Sequence, residues 1–333
     1  VPGAGQFACY SIYMSGSRPR PFTPSVPAMR FPVLALLCLI WLAPLAAMAS
    51  ATALPPEVAR MLRQYGLSEK GLSVFVQEIG QPGPLLAVRA DVPRNPASTM
   101  KLLTTLVALE TLGPAYTWKT EAYATAPVRD GVLEGDLYIK GYGDPYLVIE
   151  HFWRFLRALR KGGLDEIRGD LVIDQSFFAP QPGRTAAFDD MPVNTYTVRP
   201  RALLVNFQTV ALRFQPDAAT RRLRIVADPQ PAQLHIDNRV QLARGPCRGA
   251  RGLGMQVARQ PEFQKIVFSG RYSPDCGSDE MYRVVADSEQ YIHGVFKTIW
   301  AEMGGRFTGQ VREGVVPDAA QLLHGTISPP LAE

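Results

Sequence analysis

Apolar and polar positions follow different periods in successive stretches of this chain. The first apolar block, residues 31–49, runs for nineteen positions without a charge or a strong polar group. Further on, Ser73-Val74-Phe75-Val76 and Leu85-Leu86-Ala87-Val88 flank Gln81-Pro82-Gly83-Pro84, two apolar runs around a Pro/Gly turn that predict a β-hairpin. Met100, Leu103, Leu106 and Val107 then recur at helical spacing and Gly113-Pro114 supplies a stop, so a helix is expected over 96–112. It is apolar around most of its circumference and is expected to be central and buried.

From about residue 118 to 285 the character changes. Short alternating segments at 119–126, 133–139, 169–173, 210–214, 222–226 and 264–268 read as strands, separated by turns such as Asp130-Gly131. One helix interrupts them at 146–160, where Val148, Phe152, Phe155 and Leu159 share a face. A second amphipathic helix spans 287–303 through Ile292, Val295, Phe296, Ile299 and Trp300, stops at Gly304-Gly305, and is followed by a strand at 307–312. No internal repeat is visible.

Composition narrows the class. With 333 residues, 47% of them apolar, the chain has room for two domains and a sizeable core, which excludes a disordered or fibrous protein. The formal charge of +5 is unevenly placed: residues 1–50 hold Arg18, Arg20 and Arg30 and no acid, leaving 32 basic against 30 acidic residues beyond them. A nearly neutral body argues against nucleic acid as the main partner.

Met29-Arg30, the apolar block interrupted by Pro44, and Ala47-Met48-Ala49 together read as a secretory signal peptide over 29–49. Nineteen residues also suffice to span a bilayer, which leaves an uncleaved anchor open. Cys38 follows Leu36-Leu37 inside the block and reads as part of the signal. Residues 1–28, rich in Pro, Gly and Ser, are expected to be upstream sequence translated in error. Export permits disulfides. Cys247 and Cys276 are the two cysteines beyond the signal, and with no accompanying histidine pattern they read as one disulfide rather than a metal site or a reactive thiol.

Candidate chemistry centres on Ser98-x-x-Lys101. A serine hydroxyl needs a base to become a nucleophile, and a lysine amine serves only when neutral. At its reference pKa the neutral fraction at pH 7 is roughly one in 2,500, so burial or nearby positive charge must lower it. Positions i and i+3 lie one helical turn apart, and Ser98 at the helix N-terminus faces the positive end of the dipole. Fourteen serines and seven lysines supply roughly 0.3 such matches by chance, so the bare spacing is also compatible with a capping serine and a solvated lysine. His151, His235, His293 and His324 are scattered and form no metal-ligand pattern. Gly141-Tyr-Gly143 lacks the third glycine of a dinucleotide fingerprint and reads as a turn.

In its context, Asn95-Pro-Ala-Ser-Thr-Met-Lys-Leu-Leu-Thr104 resembles the active-site signature of the D-alanyl-D-alanine carboxypeptidase/endopeptidase family of penicillin-binding proteins, of the penicillin-binding protein 4 type (peptidase family S13). Gly141-Tyr-Gly-Asp-Pro145, Asp189-Asp190, Ala202-Leu-Leu-Val-Asn206 and Ser328-Pro-Pro-Leu-Ala-Glu333 resemble further segments of that family, which together cover about 58–333. The resemblance implies an α/β serine-transpeptidase/β-lactamase-like domain, begun over 52–116 and resumed, truncated, over 286–333, with a β-rich inserted region at 117–285.

It implies further that Ser98 attacks the carbonyl of the penultimate D-Ala of a peptidoglycan stem peptide, with Lys101 as base and the Ser98 N–H among the oxyanion donors. β-Lactams should acylate the same serine, and no metal or organic cofactor is implied. Asp190 would meet an amino group of the peptide, or else be a solvated loop carboxylate. The location implied is the periplasm, with peripheral membrane association.

The family's other two motifs, S-x-N and K-T-G, do not occur in these 333 residues. The nearest strings, Ser278-Asp-Glu280, Ser288-Glu-Gln290, Lys119-Thr-Glu121 and Lys297-Thr-Ile299, each lack the deciding residue. The family places both motifs beyond the point matching Glu333, so the chain is expected to be C-terminally truncated and incompletely active. A non-catalytic peptidoglycan-binding remnant is the rival reading. A class A serine β-lactamase shares S-x-x-K but not the long insertion.

Overall fold

The computed structural model describes residues 52–179, 195–217, 219–259 and 263–332, and the chain divides at Thr104/Thr105 into two compact units. Residues 1–28, the signal segment 29–49, Cys9, Cys38 and Asp190 lie outside the described residues.

In the first unit, helix α1 (Pro56–Gln64) begins on a proline, whose missing N–H is one that the first turn leaves unbonded in any case. Strands β1 (Val74–Gln77) and β2 (Pro84–Val88) form the expected antiparallel hairpin, Val74 opposite Val88, with a bulge at Val76/Gln77. A 3₁₀ turn, Ala97–Thr99, leads into helix α2 (Met100–Leu112), within which the division between units falls. The helix is where the sequence puts it, but its burial is not. None of its thirteen residues is buried, and Met100, Leu102, Leu103, Val107 and Leu112 are all exposed. A helix apolar all round needs a layer on more than one side, and the described residues cover it only in part, at Leu106, Ala108 and Leu109.

The larger unit opens with β3 (Lys119–Ala124), β4 (Val128–Arg129), β5 (Val132–Leu133) and β6 (Leu137–Gly141). Helix α3 (Ile149–Lys161) follows, then β7 (Glu166–Ile167), β8 (Leu171–Asp174), β9 (Val210–Asp217), β10 (Arg222–Asp228), β11 (Leu234–Leu242), β12 (Gly254–Arg259), β13 (Gln264–Tyr272) and β14 (Asp279–Arg283). Helix α4 (Ser288–Glu302) and strands β15 (Arg306–Phe307), β16 (Val311–Glu313) and β17 (Gln321–Ile327) complete it. The principal sheet is mixed, in the order β16-β8-β6-β3-β17, parallel across its first three strands. All four residues of β8 are buried, as a strand with parallel neighbours on both edges requires, and its first three, Leu171-Val172-Ile173, are a continuous apolar run rather than an alternation. Phe152, Phe155, Leu156 and Leu159 of α3 and Tyr291, Val295, Phe296 and Trp300 of α4 close the core against it.

Two expected strands divide. The run 133–139 becomes β5 and β6 in different sheets, because Gly135-Asp136 turns the chain and the Asp136 carboxylate accepts the Asp170 N–H (2.8 Å). The run 307–312 breaks at Gly309 into β15 and β16, again in different sheets. Strands β14 and β17 carry polar residues on both faces and escape a period-2 reading, whereas β11 alternates Leu234, Ile236, Val240 and Leu242 with His235, Asp237, Arg239 and Gln241 and adds to the strands expected above. Outside the principal sheet, β10-β9-β14 and β11-β13-β12 form two three-stranded sheets, and the disulfide Cys247–Cys276 (Cα–Cα 5.2 Å) ties the loop after β11 to the turn after β13.

Asp174 ends β8 fully buried. Burial opposes its charge, but hydrogen bonds from Ser176 and from the Val316 N–H, with Lys140 3.6 Å away, outweigh that and hold the carboxyl below its usual range. A carboxylate whose pKa is depressed on folding adds stability above its unfolded pKa of about 3.9, and that contribution is lost as pH falls through the folded value. Asp174→Ala is therefore expected to cost roughly 3–5 kcal/mol at neutral pH, with a smaller deficit in acid, read from urea midpoints against pH. Reducing the disulfide, or replacing both cysteines by alanine, should cost about 3–4 kcal/mol, and non-reducing peptide mapping should show the linked pair.

Candidate active site

The turn that carries Ser98 is built from its neighbours. The Asn95 side-chain oxygen accepts the Ala97 N–H (2.9 Å), and the Pro96 carbonyl accepts both the Thr99 N–H (2.9 Å) and the Thr99 hydroxyl (2.5 Å). Ala97 is thereby held at φ +43°, a left-handed conformation that a residue with a Cβ adopts at about 1–3 kcal/mol. From that bend the chain enters α2, and Lys101 Nζ donates to Ser98 Oγ at 3.1 Å. One helical turn thus delivers the contact that the spacing promised. Upstream, Arg94 donates through Nε to the Ser73 hydroxyl (3.0 Å) and through Nη2 to the Lys70 carbonyl (2.7 Å), tying the segment before the motif to the start of β1. Nothing in the sequence marks Arg94, whose partners are a hydroxyl and a backbone oxygen more than twenty residues away.

Ser98 and Lys101 are both exposed. The apolar enclosure that a neutral lysine requires is not provided by the described residues. Among those residues no cluster of His, Cys, Asp and Glu is arranged to hold a metal ion.

In the larger unit, two of the resembling segments meet. Gly141 and Gly143 bring the Gly141-Tyr-Gly-Asp-Pro145 turn so close to Ala202-Leu203 that a Cβ on Gly141 would collide with the Ala202 carbonyl oxygen. Gly143, at φ +85°, donates its N–H to that oxygen at 2.7 Å. Gln175 closes the other side, accepting the Leu203 N–H (2.8 Å) and donating to its carbonyl (3.2 Å). Asn206, Phe207 and Gln208 all have positive φ. The run is held by Asn206, which donates its side-chain amide to the Thr209 carbonyl (3.1 Å) and the Tyr291 hydroxyl (3.3 Å) and accepts the Ile149 N–H (3.3 Å).

Asp144 is buried, and its carboxylate accepts the Tyr146 N–H (2.8 Å). Burial nonetheless raises its pKa above the usual range. Beside this turn the Glu121 carboxylate accepts the hydroxyls of Tyr123 (2.8 Å) and Tyr142 (2.5 Å). Ser328, the first residue of the last resembling segment, exchanges hydrogen bonds with the Trp118 backbone (2.8 and 3.0 Å).

A profile of the D-Ala-D-Ala carboxypeptidase 3 (S13) family matches residues 54–333. A D-alanyl-D-alanine carboxypeptidase of Actinomadura sp. (strain R39) is 27% identical over 228 residues, 67% of this chain and 42% of that protein. The D-alanyl-D-alanine carboxypeptidase DacB of Haemophilus influenzae is 26% identical over 241 residues, 71% of this chain and 49% of that protein. Among solved structures, penicillin binding protein 4 (dacB) from Haemophilus influenzae superposes with a TM-score of 0.60 at 22% identity, covering 78% of this chain and 56% of that one. The same protein complexed with a β-lactam gives 0.58 at 20%, covering 83% and 58%. The likeness shows the fold, a mixed α/β architecture with several sheets. The chain spans about half the length of the curated relatives it matches.

A methyl group at position 141 tests the scaffold of the larger unit, because the atoms it meets are backbone and have no rotamer to escape into. Gly141→Ala should destabilise by roughly 1–3 kcal/mol, seen as a lower thermal midpoint.

Proposed function

The chain belongs to the D-Ala-D-Ala carboxypeptidase 3 (S13) family, and on that premise we propose that it carries the nucleophile and base of a serine-type D-Ala-D-Ala carboxypeptidase/endopeptidase acting on peptidoglycan stem peptides. The observation that carries this reading is the 3.1 Å contact from Lys101 Nζ to Ser98 Oγ across a turn strained at Ala97.

In the proposed reaction Ser98 Oγ attacks the carbonyl carbon of the penultimate D-Ala while neutral Lys101 takes the hydroxyl proton. The Ser98 N–H, at the start of the helix, faces the oxygen on which charge develops. The terminal D-Ala leaves as its amine with that proton, and an acyl-enzyme remains at Ser98. Water then hydrolyses the ester and frees the shortened peptide. Asp190 is proposed to receive an amino group of the stem. A β-lactam carbonyl presents the same electrophile to Ser98, which is why a relative's β-lactam complex supports this reading. The signal-like segment at 29–49 supports export to the periplasm, where stem peptides are met.

The rival, a peptidoglycan-binding remnant without turnover, is favoured by one observation: Ser98 and Lys101 are exposed, without the apolar cover that a neutral lysine needs. Catalytic groups that act as a unit lose most of their rate when one is removed. Labelling with fluorescent penicillin separates the readings. The 333-residue chain should label at Ser98 far more slowly than a version extended to the family's full length, and Ser98→Ala in the extended version should abolish labelling. Equal rates in the two lengths would remove the role given to the missing motifs, and labelling of the extended Ser98→Ala protein would remove Ser98 as nucleophile.

A further inference from the structure

A cavity of about 990 Å³ lies in the larger unit, lined by residues that the serine chemistry does not use. Glu289, His293 and Lys297 stand at i, i+4 and i+8 of α4 and so form one stripe along it. The strand segment from Gln310 to Glu313 and the side chain of Arg201 also border it.

The charges along this stripe do not cancel locally. At one end Glu289 and Glu313 share a single guanidinium: Arg201 Nη1 lies 3.0 Å from Glu313 Oε1 and Nη2 lies 3.5 Å from Glu289 Oε1. Two carboxyl groups face one cation, so one of them is left without a counter-charge of its own. Glu289 Oε1 is buried and accepts no hydrogen bond from the described residues, and burial together with Glu313 alongside pushes this carboxyl above its usual range.

At the other end Lys297 is half-buried, with no carboxylate in ion-pair reach among the described residues. His293, between the two ends, contacts the Gly309 carbonyl (3.2 Å) and the edge of Phe307, and burial holds its pKa below the ordinary value, so it adds no charge at neutral pH. Arg312, which also borders the cavity, is already engaged by Asp136 and Asp170. The cavity is therefore bipolar, with an acidic end at Glu289/Glu313 and a basic end at Lys297.

Eight residues of helix separate the two ends, about 12 Å along the axis at 1.5 Å per residue. An extended peptide advances about 3.3–3.6 Å per residue, so three or four residues span that distance. We propose that this cavity binds a short zwitterionic peptide of three or four residues, its ammonium group at Glu289/Glu313 and its carboxylate at Lys297. Gln233, whose amide donates to the Gln290 carbonyl, and Gln310 add polar groups for the backbone between the charged ends. None of the residues bordering it belongs to the serine motif, and binding there does not depend on acyl transfer.

Titration calorimetry of the full chain with tetra-L-alanine tests the assignment. The free peptide should bind one to one, and acetylating its amine or amidating its carboxyl should each weaken binding about tenfold, the equivalent of about 1.4 kcal/mol. Glu313→Gln should erase the penalty for acetylation, and Lys297→Ala the penalty for amidation. Ser98→Ala should bind as the parent does, which separates this site from the serine centre whatever the penicillin experiment shows. Absence of saturable binding at millimolar peptide, equal affinity for the doubly blocked peptide, or loss of binding in Ser98→Ala would each overturn the proposal. The blocked peptides are measured on the unmodified chain, so the test stands whether or not either cavity variant folds.

Discussion

The larger unit depends on how closely two stretches of backbone approach at Gly141. That contact lets the end of β6 lie directly on Ala202-Leu203, and it decides where the chain goes next. From there it enters the positive-φ run Asn206-Phe207-Gln208 and reaches β9. Asn206 then joins three elements, holding the first turn of α3, the start of β9 and the Tyr291 hydroxyl of α4 with one side chain. A side chain at 141 would push these apart, because nothing at that spot can rotate away. Three consecutive left-handed residues are costly, and they persist here because hydrogen bonds on both sides leave no alternative.

The same logic operates on a smaller scale at Ser98. Ala97 is held in an unfavourable conformation by Asn95 and Pro96, and the resulting bend starts the helix so that Ser98 and Lys101 face each other. The turn stores the geometry locally, within seven residues. Protection of the lysine from solvent is a different kind of requirement, since it calls for a surface supplied by distant residues.

That difference between local and distant requirements governs what can be read from the sequence. The hairpin, the helical turns from Phe152 to Leu159, the helix through Trp300 and the serine–lysine contact all follow from periodicity within a short window. The family resemblance joins Gly141–Pro145 to Ala202–Asn206, but the reason for their contact, a carbonyl too close to admit a Cβ, is visible only in three dimensions. Arg94 and Gln175 give no signal because their partners are backbone groups and a hydroxyl with no composition of their own. Strand β14 shows no alternation because it carries charges on both faces, Asp279 and Arg283 on one and Glu280 on the other. The burial expected for α2 fails for the opposite reason. Its residues say that it is apolar, and they cannot say what covers it.

The disulfide carries a consequence for biosynthesis. Residues 50–333 contain two cysteines, and two thiols admit a single intramolecular pairing. A segment with four or six would need reshuffling through mixed intermediates before reaching its native connectivity. This one cannot be mispaired within itself. What it demands of its compartment is an electron acceptor, delivered once, and no proofreading of the product.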